Sequence, residues 1–178
     1  MSQSSEIPGK TQLAIIGAGP GGYAAAFRAV ELGLQVALID PEANPGGVCL
    51  HRGCIPSKAL LHVAKLVSEA EESAAIGVAF SKPQIDLERV RHWKDEVVDK
   101  LTGGLGGKVV KMKISYVRGM AQFKDARTLT VKTADGTVGE MTFEKAILAT
   151  GSRPIMLPGV AAESLRIVDS TGALDIAD

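Results

Sequence analysis

The chain has 178 residues, the size of one ordinary domain with a buried core. Its 20 basic and 20 acidic residues cancel and only 4% of its residues are aromatic, so nothing suggests nucleic acid as a partner. No apolar run approaches the ~20 residues of a membrane-spanning helix, and the polar start at residues 1–9 lacks the pattern of a signal peptide. We therefore expect a soluble, cytoplasmic globular protein with no membrane partner.

The first predicted elements form a strand–turn–helix–strand unit. An apolar run at residues 11–16 is typical of a buried parallel strand. It leads into the glycine-rich turn GAGPGG at 17–22, and a helix is predicted over 21–32. A second buried strand follows at 35–39 and ends at Asp40. The unit is typical of a dinucleotide-binding fold.

The turn contains the pattern G-x-G-x-x-G at Gly17, Gly19 and Gly22. The first glycine permits the tight turn, the second lets a pyrophosphate approach the backbone, and the third lets the helix pack on the strand. The pyrophosphate would then lie at the positive end of the helix dipole. We expect the carboxylate of Asp40 to accept a hydrogen bond from the ribose 2′-hydroxyl. The less favoured interpretation is an Asp that forms a turn before Pro41.

Both cysteines of the chain, Cys49 and Cys54, lie in the stretch GGVCLHRGCIPSK at residues 46–58. Cysteines this close can form a disulfide that a thiolate reopens, and a thiol at the start of the following helix is favoured as thiolate. Pro56 suits the first turn of that helix. The pattern indicates a redox-active disulfide. Because a flavin accepts two electrons and reacts directly with sulfur, whereas a nicotinamide does not, we assign FAD to the dinucleotide site.

The same stretch resembles the active-site segment of the flavin-dependent disulfide reductases. Its ending, Ile-Pro-Ser-Lys at residues 55–58, is similar to that of the dihydrolipoamide dehydrogenases within that group. The resemblance implies that Cys49 exchanges with dihydrolipoamide and that Cys54 lies against the flavin. His51 and Arg52 stand where many relatives have Asn and Val, and we interpret them as surface residues.

The resemblance also implies which residues hold FAD. They lie in the glycine turn, in the segment from Asp40 to the first cysteine, and in a turn at 150–152, together with Lys58 near the flavin ring and backbone near Ala121 at the adenine. The predicted cofactor residues are Gly17, Gly19, Gly22, Asp40, Pro41, Glu42, Ala43, Asn44, Pro45, Gly46, Gly47, Val48, Cys49, Lys58, Ala121, Thr150, Gly151 and Ser152.

Further along the chain, a helix is predicted over 86–99. We interpret the glycine run at 103–107 as a break near the end of that helix, since it lacks the features of a phosphate loop. Residues 134–137 predict a hairpin turn. Short strands are predicted at 114–119, 120–123, 128–132, 138–143 and 145–149. The expected fold class is α/β: a Rossmann-like FAD-binding domain with a parallel sheet and an inserted β-meander, incomplete at the C-terminus.

We expect residues 10–178 to form the first segment of this domain, after a flexible lead-in at 1–9. The resemblance implies that an NAD domain and a dimerisation domain belong to the whole enzyme and are missing here. It implies a homodimer whose partner is dihydrolipoamide on a lipoyl domain of a 2-oxo acid dehydrogenase complex. The chain alone is expected to be inactive.

Three other interpretations stay open. The chain could belong to a related reductase that acts on glutathione or mercuric ion, or it could be a non-catalytic FAD-binding module. A zinc site at Cys49, His51, Cys54 and His62 is disfavoured, because the ligands lack the usual paired spacing. His62 would lie ~12 Å along the helix from Cys54 at 1.5 Å per residue.

Overall fold

The structure is a computed structural model that describes residues 6–155, 157–159 and 167–175. Residues 1–5 of the predicted lead-in lie outside this description, as do residues 176–178. The described residues divide into two compact units. Unit 1 comprises residues within 1–49 and 102–152, and unit 2 comprises residues within 50–101 and 153–178.

Five strands of unit 1 pair in a closed ring, in the order β1-β2-β3-β4-β5. Strand β1 runs parallel to both β2 and β5, and β2 runs parallel to β3. Strand β4 is antiparallel to both of its neighbours. The strands are β1 (Lys10–Ile16), β2 (Val36–Asp40), β3 (Ser115–Phe123), β4 (Thr128–Thr133) and β5 (Val138–Leu148).

The two long strands, β3 and β5, each pair with two different strands at different points along their length. The first residues of β3 pair with β2 and the remaining residues pair with β4, with Gly119 at the change. A methyl group added at Gly119 would overlap the carbonyl oxygen of Lys132. The sequence predicted two short strands where β3 lies and two where β5 lies. This prediction was wrong, because in each case a single strand passes from the parallel sheet into the antiparallel meander of β3, β4 and β5. The hairpin turn at 134–137 is confirmed by the Thr133 N–H, which donates to Thr137 O at 2.8 Å.

Side chains of the parallel strands alternate between two hydrophobic cores. Leu13 and Ile15 of β1 face a core shared with helices, whereas Ala14 and Ile16 face the core enclosed by the meander. The continuous apolar sequence of β1 and β2 follows from this burial on both faces. The predicted α/β class, with a parallel sheet and an inserted meander, is confirmed.

The helices are α1 (Pro20–Glu31), α2 (Gly47–Arg52), α3 (Cys54–Glu72) and α4 (Leu87–Lys111). Helix α1 and the C-terminal part of α4 cover the first core, where Lys108 Nζ lies 4.3 Å from the ring centroid of Phe27. The predicted end of α1 is confirmed, since Gly33 takes the left-handed conformation with φ +84°.

Helix α4 continues through the glycine run, so the predicted break at 103–107 is wrong. Glycine is a poor helix former, yet tertiary packing overrides that preference here. Thr102, Gly106 and Val109 are buried at helical spacing, and Val109 belongs to the first core. The packed face holds the helix together, while the other glycines face outward.

These outward glycines yield a stability prediction. A methyl group added at Gly103, Gly104 or Gly107 would meet no described atom within 4 Å. Replacement of each by alanine should therefore raise the free energy of unfolding by about 0.5–1 kcal/mol, because alanine loses less backbone entropy in a helix. Thermal unfolding of the single and triple variants measures this.

A matched control is Gly119→Ala, whose methyl group would overlap backbone. It should lower the melting temperature while the α4 variants raise it. Lower melting temperatures for all three α4 variants would contradict a continuous helix at this point.

Unit 2 contains α3, the N-terminal part of α4 and two 3₁₀ turns, Ser73–Ile76 and Gly172–Leu174. Within it, the buried Lys94 donates from Nζ to Leu174 O at 3.1 Å. The described helices of the chain include none that is long and apolar enough to cross a membrane.

Candidate functional site

Three parallel strands of unit 1 end at one edge of the sheet. Strand β1 ends at Ile16, β2 at Asp40 and β5 at Leu148. The residues that follow form three neighbouring turns: the glycine turn, the 41–47 loop and the 149–152 turn. The carboxyl edge of a parallel sheet is the usual place for ligand binding in such folds.

The glycine turn packs so tightly that a side chain is excluded at two of its positions. A methyl group added at Gly17 would overlap Ala149 O, and Gly17 itself has a φ of +98°. A methyl group added at Gly22 would overlap Gly17 O. These contacts confirm that Gly17 forms the tight turn and that Gly22 lets α1 approach it.

Gly19 and Gly47 lie against each other where the glycine turn meets the 41–47 loop. A methyl group at Gly47, which has a φ of +57°, would lie 2.5 Å from Gly19 Cα. At Gly19 the only described atom within 4 Å of an added methyl group is Gly47 Cα, at 3.8 Å. No described atom lies that close at Gly21. We call Gly17, Gly19, Gly22 and Gly47 the glycine cradle; its Gly19 side is open to a ligand.

Helix α1 begins at this open side. Gly19 is its N-cap and Pro20 occupies its first turn, and the N-cap residue makes no side-chain hydrogen bond to the first N–H groups. The first turn also carries no acidic residue. The start of α1 therefore offers backbone donors and the positive end of the helix dipole to an anion such as a pyrophosphate.

Asp40, the last residue of β2, joins two of the turns. Its Oδ2 accepts the Ala18 N–H at 2.6 Å and its Oδ1 accepts the Glu42 N–H at 2.9 Å. The side chain is buried, with 8% of its surface exposed. The sequence predicted a ribose contact, with a turn-forming Asp before Pro41 as the less favoured interpretation, and the bond to the Glu42 N–H is a turn contact of that kind. Each carboxylate oxygen has a second lone pair, so the fit to a ribose hydroxyl is kept.

The 41–47 loop is held from two sides. The Gly46 N–H donates to Ala18 O at 2.9 Å. From β3, the Tyr116 hydroxyl donates to Glu42 O at 2.9 Å and Arg118 Nε donates to Pro41 O at 3.2 Å.

Sequence reasoning missed these two residues of β3. Tyr116 is separated from Glu42 by 74 positions, and no motif links the two. Burial, followed by the nearby carboxylates of Asp40 and Glu42, raises the pKa of the Tyr116 hydroxyl above its usual value, against a smaller opposing effect of Arg118. The hydroxyl therefore remains a hydrogen-bond donor at neutral pH.

The third turn follows β5. The Ala149 N–H donates to Ile16 O at 2.8 Å, which fixes this turn beside the start of the glycine turn. Thr150, Gly151 and Ser152 are all exposed, with Gly151 at a φ of +71°. Unit 1 thus brings together the predicted residues of all three turns.

The cysteines lie on two successive helices. Cys49 is half-buried in α2, and Cys54 is exposed at the start of α3, directly after the N-cap Gly53. The sequence predicted a turn at the cysteines and then a helix with Pro56 in its first turn. Pro56 does lie in the first turn of α3, whereas the segment around Cys49 is helical, as α2, and not a turn. The hydroxyl of Ser57 donates to Gly53 O at 2.6 Å and ties down the first turn of α3. A sulfur at this position lies where a helix favours negative charge.

Two other predicted residues belong to other elements than these turns. Lys58 is exposed on α3 in unit 2. Ala121 lies in the second part of β3 and packs against the meander core. Within the described ranges, no three His, Cys, Asp or Glu side chains come together as a group that could hold a metal ion.

The chain is similar to known proteins over nearly its whole length. A family model described as pyridine nucleotide-disulphide oxidoreductase matches residues 11–178. A dihydrolipoyl dehydrogenase of Haemophilus influenzae is 49% identical over 97% of this chain and 36% of the relative. The dihydrolipoyl dehydrogenases of Vibrio cholerae and Geobacillus stearothermophilus are 47% and 45% identical, over 97% and 95% of this chain and 36% and 35% of their own lengths. The chain thus spans about a third of these curated relatives.

Proposed function

This chain belongs to the pyridine nucleotide-disulphide oxidoreductase family, and from that premise we propose that unit 1 binds the ADP part of FAD and that Cys49 and Cys54 form a redox-active disulfide. The observation that carries the proposal is the open Gly19 side of the glycine cradle, which lies against the uncapped start of α1. A pyrophosphate fits such a place, since it needs close backbone approach and several N–H donors.

Each predicted residue has a role in this proposal. Backbone N–H groups at the start of α1 would bind the pyrophosphate, and Asp40 would accept a ribose hydroxyl while holding Ala18 in place. The 41–48 segment and residues 150–152 would border the cofactor on either side. Lys58 and the backbone near Ala121 are proposed, on the family resemblance, to lie near the flavin ring and the adenine.

The cysteines supply the sulfur chemistry. A thiolate of dihydrolipoamide attacks Sγ of Cys49 in the oxidised pair, forming a mixed disulfide and releasing Cys54 as thiolate. The second thiol of dihydrolipoamide then displaces Cys49, which leaves lipoamide oxidised and both cysteines reduced. Bound FAD supplies the two-electron chemistry that returns the pair to its disulfide.

The activity of a whole enzyme is part of the proposal. We propose that a longer protein passes the electrons to NAD bound in another domain and works as a cytoplasmic homodimer that serves the lipoyl domain of a 2-oxo acid dehydrogenase complex. Support comes from the relatives named dihydrolipoyl dehydrogenase, of which this chain spans about a third.

An absorbance spectrum of the purified chain, taken with FAD before and after dithiothreitol, tests the proposal. We expect a flavin spectrum that stays with the protein on gel filtration and, after reduction, long-wavelength charge-transfer absorbance between the Cys54 thiolate and the flavin. A chain that releases all added FAD would contradict the cofactor site. Retained FAD without the long-wavelength absorbance would contradict the role of Cys54.

A further inference from the structure

We propose that Tyr116 and Arg118 are positioning residues of the FAD site, which hold the 41–47 loop in the place where it completes the glycine cradle. The inference rests on the proposed function for its link to FAD. The two side chains belong to β3, whose first residues pair with β2. They therefore connect the rigid sheet to a loop that has no regular structure before α2 begins at Gly47.

The contact made by Tyr116 is the stronger of the two. The residue is 5% exposed and belongs to the core under α1 and α4, so the side chain is fixed by packing. From this fixed position its hydroxyl donates to Glu42 O at 2.9 Å. Without the hydroxyl, this partly buried carbonyl would lose a donor that phenylalanine cannot replace.

Arg118 lies two residues further along β3 and is exposed. Its Nε donates to Pro41 O at 3.2 Å. Successive carbonyls of the loop, those of Pro41 and Glu42, are therefore bound to the same strand. The exposed bond competes with water and should contribute less than the bond from Tyr116.

The held segment leads directly to the cradle. Asp40 precedes it and binds the Ala18 and Glu42 N–H groups. The Gly46 N–H donates to Ala18 O, and Gly47 then meets Gly19. A loop released at Pro41 and Glu42 could move away from Ala18. Gly47 would then no longer be held against Gly19 in the glycine cradle.

The test is amide hydrogen exchange on the full 178-residue chain, which needs no ligand. In Tyr116→Phe we expect the amides of Glu42 and Gly46 to exchange roughly two- to tenfold faster, the range that loss of one hydrogen bond gives. Amides within β1 and β2 should keep their protection. Arg118→Lys should change the same loop amides in the same direction by a smaller factor.

The other tyrosine of the chain provides a matched control. Tyr23 is half-buried, packs beside Phe27 and borders the same core. Tyr23→Phe removes the same atom from the same unit and should leave the loop amides unchanged. Equal acceleration in both variants, or no acceleration in Tyr116→Phe, would overturn the positioning role.

Affinity for FAD separates this inference from the proposed function. If the wild-type chain binds FAD, Tyr116→Phe should weaken binding by a factor similar to the change in exchange, while Tyr23→Phe should not. Unchanged affinity in Tyr116→Phe would overturn the inference. If the wild-type chain binds no FAD, the proposed function fails, and the exchange result alone still decides whether Tyr116 positions the loop.

Discussion

Replacement of Gly22 by alanine is expected to abolish FAD binding and to lower the free energy of unfolding by about 2–3 kcal/mol. The added methyl group would overlap Gly17 O, which belongs to backbone that cannot move without displacing its neighbours. Gly17 is itself confined by Ala149, so the strain would spread through the glycine cradle. Chemical denaturation measures the stability and fluorescence titration with FAD measures the binding.

The adjacent glycine provides the control. Gly21→Ala adds the same methyl group one residue earlier in α1, where no described atom lies within 4 Å. It should leave stability unchanged or slightly higher, because alanine favours the helix. Equal loss of stability in both variants would show that the contact with Gly17 O is not the cause.

Replacement of either cysteine by serine is expected to slow electron transfer from dihydrolipoamide to bound FAD by roughly 10⁴-fold, as is typical when a nucleophile acting in concert with other groups is lost. The disulfide needs both sulfurs, so in the proposed mechanism one substitution removes the group that dihydrolipoamide would attack. Stopped-flow measurement of flavin absorbance in each variant follows this rate.

The two cysteine variants should differ in their spectra. Cys49→Ser keeps the Cys54 thiolate and should retain the long-wavelength charge-transfer absorbance, whereas Cys54→Ser should lose it. Both should still retain FAD for this measurement, since the glycine cradle is unchanged in either variant. A reversed pattern, with the absorbance kept only in Cys54→Ser, would exchange the roles proposed for the two sulfurs.

Much of the site could be predicted because its chemistry is local in sequence. Gly17, Gly19 and Gly22 act through their spacing at a strand–helix junction, and that spacing is written in consecutive residues. The cysteines likewise lie close together in the chain, so a redox pair could be predicted without the fold. The apolar runs of β1 and β2 predicted buried parallel strands for the same reason.

The missed features depend on partners far away in sequence. The glycine run at 103–107 predicted a break, yet one face of α4 is packed against the first core, and this burial outweighs the helix propensity of glycine. From the sequence, Tyr116 was predicted only to lie in a strand, because its acceptor, Glu42 O, comes from a different part of the chain.

The sequence by itself determined the glycine turn, the cysteine pair and the α/β class, because spacing and periodicity over short stretches specify them. Only the tertiary structure decided how β3 and β5 pass from the parallel sheet into the meander, and which side chains hold the 41–47 loop. Pairings between distant strands depend on the packing of the whole unit, and local residue patterns do not encode which segments meet.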